Sequence, residues 1–426
     1  MIPGTWAEDA RKRDDSDPLR AFRDRFYLLP NTVYMDGNSL GLLSRDAEAC
    51  VLRVLAEWKT QAIGGWTNAA PPWFTLSETL AAGIVPLVGA GADEVIVTGS
   101  TTANLHQLLA TLYAPDIGRD RVLADALNFP SDIFAVQSFL RGRGHDPATR
   151  LHRVQSRDNR TVSESDIVAA LETGAFCLAV LPSVVYASGQ LLDMRRVTEA
   201  AQANGTIIGW DLSHSIGTIP HDLSGISADF AFWCSYKYLN AGPGAVGGLY
   251  LNRRHFGKSP GLAGWWGSDK TAQFGMSHAF QPAQNAGALQ MGTPHLLSLA
   301  PLEGALRITN DAGIHAIRHK SLALTAFLRD LARRELSRFG VGVVTPEDPD
   351  RRGGHLAITH PDAARIALAL RRAGVIPDFR PPDIVRLAPV ALYTSFADCV
   401  AAVHCLHTIL NTKVYENEQN APGSVT

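Results

Sequence analysis

From about residue 85 the chain alternates short, almost unbroken apolar runs with stretches in which apolar residues return every three or four positions. The runs are 94–99 (EVIVTG), 121–125 (RVLAD), 177–182 (CLAVLP), 206–211 (TIIGWD), 228–234 (ADFAFWC) and 244–251 (GAVGGLYL). Between them lie TTANLHQLLATLYA, PSDIFAVQSFLRGRG and MRRVTEAAQANG, whose periodicity is helical. Strands apolar on both faces and separated by helices predict a mostly parallel central sheet flanked by helices, an α/β architecture. After about residue 300 the pattern changes. A long helical stretch, roughly 297–339, leads to VGVVTP, HLAITH, the helical DAARIALALRRAG and DIVRLAPV, which together predict a smaller α+β domain. The expected organisation is an N-terminal segment, 1–35, packing on the small domain; a large domain, 36–300; a small C-terminal domain with a linking helix, 301–415; and a disordered tail, 416–426.

Composition narrows the classes. The chain has 426 residues, 46% of them hydrophobic and 19% charged, with a net charge of −2. No basic stripe is available to displace counterions, which argues against nucleic acid as a partner. The opening MIPGTWAEDARKRDD lacks the apolar centre of a leader, and no apolar run reaches the length of a membrane span, so a cytoplasmic protein without a membrane partner is expected. Five scattered cysteines suit reduced core thiols. The cluster CVAAVHCLH, 399–407, fits no zinc spacing and reads as helix, so no metal is expected.

In parallel sheets, ligands bind beyond the carboxyl ends of the strands. The first run is followed by Gly99, Ser100, Thr101 and Thr102 at a helix start, where free N–H groups and hydroxyls suit a phosphate, although a plain helix cap would use the same residues. The second is followed by Phe129 and Asp132, which as ordinary residues would be a core ring and a cap. The 206–211 run ends in Asp211, with His214 close behind; an aspartate there is costly to bury without a cation. The next ends in Ser235, Tyr236 and Lys237. Only seven of the 39 basic residues are lysines, and Lys237 stands apart in its apolar, aromatic setting. A lysine, an acid, an anion site and a flat ring at one sheet edge match pyridoxal 5′-phosphate (PLP). That cofactor attaches to a lysine and needs its ring nitrogen kept protonated.

Several segments also resemble kynureninase, a PLP enzyme of fold type I. They are YMDGNSLGLL (34–43), NFPSD (128–132), WDLSHSIG (210–217), FWCSYKYLNAGPG (232–244), GLAGWWG (261–267) and DFRPPDIVRLAPVALYTSF (378–396). The resemblance runs from about residue 25 to 410 and implies cleavage of L-kynurenine to anthranilate and L-alanine, a step of tryptophan catabolism. It implies that Lys237 carries the cofactor, Asp211 pairs with the ring nitrogen, His214 lies close by, Phe129 stacks on the ring and Asp132 belongs to the pocket. Thr101, Thr102 and Tyr236 would bind the phosphate, with Tyr236 also a proton donor. Trp265 and Thr293 would reach in from the second subunit of a homodimer with sites at its interface. Arg386 would clamp the α-carboxylate, with Arg380 the second choice. Trp66, Gly292 and Thr293 would surround the substrate's aromatic ring and favour kynurenine over its 3-hydroxy form, while Asn38 and Ser39 would lie near the site.

One departure stands at Pro182, where some members carry a serine; Ser183 or Ser188 is left as a replacement. The alternatives are an aminotransferase, a cysteine desulfurase, or a non-catalytic binding protein on the same fold. A desulfurase needs a cysteine in a mobile polar loop, and none of the five sits in one.

Overall fold

The computed structural model describes residues 4–418. Seven strands build the main sheet: β1 (Val95–Val97), β2 (Arg121–Asp125), β3 (Leu151–Val154), β4 (Phe176–Pro182), β5 (Ile207–Asp211), β6 (Phe230–Trp233) and β7 (Gly248–Leu251). Their order is β1-β7-β6-β5-β4-β2-β3, and all run parallel except β7, which is antiparallel to both its neighbours. The interior strand β4 is buried along its whole length, as its unbroken apolar sequence requires. Two apolar clusters, one on each face, carry alternate residues of the same strands: Leu181 and Trp210 point one way, Val180 and Phe232 the other.

Two helices start at the carboxyl edge of this sheet. Thr101–Leu112 is capped by Ser100, whose hydroxyl accepts from the Ala103 N–H, and Pro130–Gly142 opens with proline at its first position. The helical stretch expected at 297–339 is two helices, Leu296–Ala312 and Ile314–Leu336. They are separated by Gly313 at φ 76°, a left-handed value that an L side chain seldom adopts.

A second sheet is antiparallel: β8 (Gly342–Val343), β9 (Leu356–Thr359), β10 (Asp378–Arg380) and β11 (Ile384–Leu387), in the order β10-β11-β9-β8. Its apolar face meets the helices Ile314–Leu336, Ala363–Arg372 and Phe396–Thr412, and Ala10 and Met35 join the same core. The N-terminal segment is also tied by polar contacts. Trp6 Nε1 donates to Glu335 at 2.9 Å, the Asp14 carboxylate accepts from the Phe396 and Ala397 N–H groups, and buried Lys320 and Asp17 pair at 2.7 Å.

The strands β3 and β10 were not legible as separate runs, and the 244–251 run forms a strand only from Gly248. Helical turns continue through Val414–Asn417, with Tyr415 buried, past the start of the tail expected at 416; residues 419–426 of that tail lie outside the described residues. Among the described residues no helix is long and apolar enough to cross a membrane. Cys399 to His407 lie within the helix Phe396–Thr412, and no group of three or more His, Cys, Asp or Glu among the described residues could hold a metal.

Candidate active site

Eight of the sequence-predicted residues line one pocket of about 190 Å³ beyond the carboxyl ends of β1, β2, β5 and β6: Thr101, Thr102, Phe129, Asp132, Asp211, His214, Tyr236 and Lys237. Each arrives by a short path from a strand end. Asp211 is the last residue of β5, Lys237 follows β6 by four positions, and Asp132 sits in the first turn of the helix after β2. Burial of the strands therefore fixes these side chains to within the register of the sheet.

Lys237 Nζ lies 2.9 Å from His214 Nε2 and within 6 Å of the ring centres of Phe129 (5.7 Å) and Tyr236 (5.9 Å). Burial first, and the Lys237 charge second, hold the His214 imidazole well below its ordinary value. It is thus neutral, with Nε2 facing the Lys237 amine and Nδ1 buried without a partner. Two acids share the pocket. Burial raises Asp211, opposed by Lys237, while its Oδ1 accepts from the Ser213 N–H at 2.8 Å. Burial, then the Asp211 charge, lifts Asp132 well above the carboxylate range, and its Oδ2 has no hydrogen-bond partner. The Tyr236 hydroxyl is pushed up by burial and stays protonated.

These residues fit pyridoxal phosphate. The orphaned Asp132 oxygen and the buried Asp211 carboxyl suit a protonated ring nitrogen, since a buried acid needs a cation or a proton donor. At the other end two helix N-termini converge, with Thr102 Oγ1 2.8 Å from Ser131 Oγ and Ser100 beside them, a set of donors suited to a phosphate dianion.

A third buried acid lies behind the pocket. Asp125 ends β2; its Oδ1 accepts from the Leu127 N–H at 2.9 Å, its Oδ2 has no partner, and burial pushes its carboxyl up to about 7. Because the folded value exceeds the unfolded one, its contribution to stability is complete below about pH 4 and is lost as pH rises through about 7. Asp125→Asn keeps an acceptor for Leu127 and removes the titration. We expect urea unfolding of the variant and of the parent to agree at pH 4 and diverge towards pH 8, the variant gaining on the order of 4 kcal/mol at most. A gap that does not change with pH would show that the acid is ionised in the fold.

Arg386, on β11, is fully buried. Its guanidinium pairs with Asp378 through Nε and Nη2, donates from Nη1 to the Tyr186 carbonyl at 2.7 Å, and reaches Ser39 Oγ from Nη2 at 3.3 Å. Tyr186 connects this cluster to the pocket: it lines the pocket and meets Phe129 edge-on at 5.3 Å. The 38–41 loop lies directly on the lysine segment. Gly41 N–H donates to the Tyr236 carbonyl at 2.8 Å, and a Cβ on Gly41 would fall 2.6 Å from the Lys237 carbonyl oxygen, so only glycine allows this approach. Asn38 is fully buried here with neither side-chain polar atom partnered.

The remaining predicted residues are not in this pocket. Trp66 lines a separate cavity of about 530 Å³ with Trp58 and Ile63, and Trp265 borders another of about 390 Å³. A chain of ring contacts, Trp66 to Trp266 at 5.4 Å and Trp266 to Trp265 at 5.6 Å, connects the two. Gly292 and Thr293 are exposed. Ser183 and Ser188 are both buried and neither lines the pocket: Ser183 is engaged with Asp211 O and Ser215, and Ser188 accepts from the Gln190 N–H. Four lining residues escaped the sequence reading: Ser131, Val184, Tyr186 and Ser213. Ser131 follows Pro130 at a helix start, and Tyr186 stands four positions past β4; the rule that polar groups after strand ends form the site would have found both. No cysteine lines the pocket; Cys50, Cys177, Cys234 and Cys399 are buried and Cys405 is half-buried.

Comparison with known proteins adds the following. Residues 317–406 match the kynureninase C-terminal domain. The chain is 55% identical over 413 residues to kynureninase of Geobacillus thermodenitrificans and 51% identical over 413 residues to that of Bacillus anthracis, in each case covering 97% of this chain and 96% of the relative. Among solved structures, the apo cysteine desulfurase of Thermococcus onnurineus superposes with a TM-score of 0.77 at 16% identity, covering 92% of this chain and 98% of that one. The cystine C-S lyase C-DES, solved with its product cysteine persulfide, gives 0.77 at 18% identity, covering 89% and 98%. At these identities the structures report the shared fold alone.

Proposed function

The chain belongs to the kynureninase family, and from that premise we propose that the pocket around Lys237 is where it cleaves L-kynurenine to anthranilate and L-alanine. It is a hydrolase of the carbon–carbon bond in kynurenine and uses pyridoxal phosphate. The observation that carries the site reading is a lysine set among buried acids at the carboxyl edge of a parallel sheet, opposite two helix N-termini.

When bound, the cofactor supplies the electron sink that a Cβ–Cγ cleavage requires. The protein does the rest. Lys237 Nζ takes the proton from the substrate Cα, and neutral His214, at 2.9 Å, orients it. The carboxyls of Asp211 and Asp132 would keep a proton on the cofactor's ring nitrogen, and Phe129 would offer its ring an aromatic surface. Thr101, Thr102 and Tyr236 would hold the phosphate, with the Thr101 helix dipole behind them. Arg386 binds the α-carboxylate through paired N–H donors. The Tyr236 hydroxyl, kept protonated by burial, returns a proton as alanine forms.

A homodimer is part of this reading. Trp66, Trp265, Gly292 and Thr293 would then act from the second subunit or at its border. Supporting this, Trp265 is 46% exposed beside exposed Phe274, and Trp58, Ile63 and Leu297 expose a further apolar area around the 530 Å³ cavity. A cytoplasmic setting and unsubstituted kynurenine as the preferred substrate complete the proposal. The desulfurase alternative is not favoured, because that chemistry needs a cysteine at the substrate and the pocket has none. The decisive measurement is an absorbance scan for bound cofactor followed by kynurenine addition. Anthranilate fluorescence without any oxo-acid is expected; turnover that depends on an oxo-acid would identify an aminotransferase instead.

A further inference from the structure

We infer that Asp378 is the positioning residue that aims Arg386 at the substrate's α-carboxylate; this rests on the reading of Arg386 given above and deepens it. Asp378 and Arg386 are direct partners in the antiparallel register of β10 and β11, so their side chains leave the same face of the sheet side by side. Both are fully buried. A guanidinium presents two edges of paired N–H donors, one formed by Nε and Nη2 and the other by Nη1 and Nη2. Asp378 Oδ2 accepts from Nε and pairs ionically with Nη2, and so occupies the first edge.

The second edge is dressed differently. Its Nη1 meets the Tyr186 carbonyl, and its Nη2 meets Ser39 Oγ at 3.3 Å, a long contact that a carboxylate could replace. Tyr186 borders the pocket, so this edge is the one on the substrate's side. Without a partner on the first edge, the fork could rotate about its last bonds and offer the wrong pair of donors. Asp378 Oδ2 also forms an ion pair with Arg380, 2.9 Å from its Nε, which anchors the carboxylate from the other side. The acid is therefore held by one arginine while it orients the other.

A simpler role, neutralising buried positive charge, is separable from aiming. Asp378→Ala removes both the charge and the edge contact. Asp378→Ala combined with Arg380→Gln restores the local charge sum but still lacks the contact. In both holoenzymes we expect KM for kynurenine to rise about 10- to 100-fold with kcat within about threefold, the range of a charge-assisted hydrogen bond. L-Alanine binding, read from the visible absorbance, should weaken by a similar factor, whereas ethylamine, the same amine without its carboxylate, should bind as to the parent. Normal KM and alanine affinity in the double variant would overturn the inference, as would equal weakening of alanine and ethylamine. Failure of both variants to fold would also overturn it, by showing that Asp378 holds the sheet together instead. Failure of the underlying functional reading would be distinct: the unaltered protein would release no anthranilate.

Discussion

Lys237→Ala is expected to abolish kynurenine turnover, lowering kcat by at least about 10⁴-fold, which corresponds to roughly 5.5 kcal/mol of lost transition-state stabilisation. On the proposed reading two functions disappear together, the covalent anchor of the cofactor and the base at Cα, and no neighbouring group can supply both. His214 is close enough to move a proton, but it is held neutral by burial and cannot attach the cofactor. The visible absorbance of lysine-bound cofactor should vanish in the same variant, with added free cofactor failing to restore it. Lys237 also lowers the pKa values of both Asp132 and Asp211, so its removal drives those acids further towards their protonated forms. The variant should therefore fold, because neither acid need remain as an unpaired buried charge. A folded Lys237→Ala protein that still releases anthranilate at a tenth of the normal rate would remove the lysine from the reaction.

The second large effect is expected from Arg386→Met, a change that preserves much of the buried volume and removes the fork. Losing two hydrogen bonds to a carboxylate corresponds to roughly 3–6 kcal/mol, so kcat/KM should fall between about 10² and 10⁴-fold. Cofactor binding should be unaffected, since Arg386 does not line the pocket that holds Lys237. Stability should fall by less than the roughly 3–5 kcal/mol typical of breaking a buried pair, because Arg380 still contacts Asp378. Equilibrium unfolding and steady-state kinetics on one preparation separate the two effects. A variant with full kcat/KM would show that the α-carboxylate is bound elsewhere, with Arg380 the next group to test.

The strands that carry the site were readable because each is a continuous apolar run, and a run buried on both faces leaves no other interpretation in a chain of alternating elements. Asp211 and Lys237 follow from that reading directly: a costly charge placed at a strand end marks the edge where ligands bind. The small sheet was harder to read. β10 is three residues, DFR, with two polar side chains, and nothing in such a segment distinguishes a strand from a turn before its neighbour is known. The break at Gly313 was equally hidden, because a glycine within a periodic helical pattern is tolerated as often as it stops a helix.

What the sequence determined by itself is the large, mostly parallel sheet, the order of its strands' terminal residues along the chain, and eight of the side chains that line the pocket at its edge, because local periodicity and the cost of burying charge act within each segment. Tertiary structure alone decided the rest. Asp378 meets Arg386 only through strand register, and Tyr186 lends its carbonyl to a guanidinium 200 positions away in the chain. The loop at Gly41 settles on the lysine segment only once that segment exists. Hydrogen bonds between distant segments depend on where the chain returns in space, and no local pattern of apolar and polar residues encodes that return.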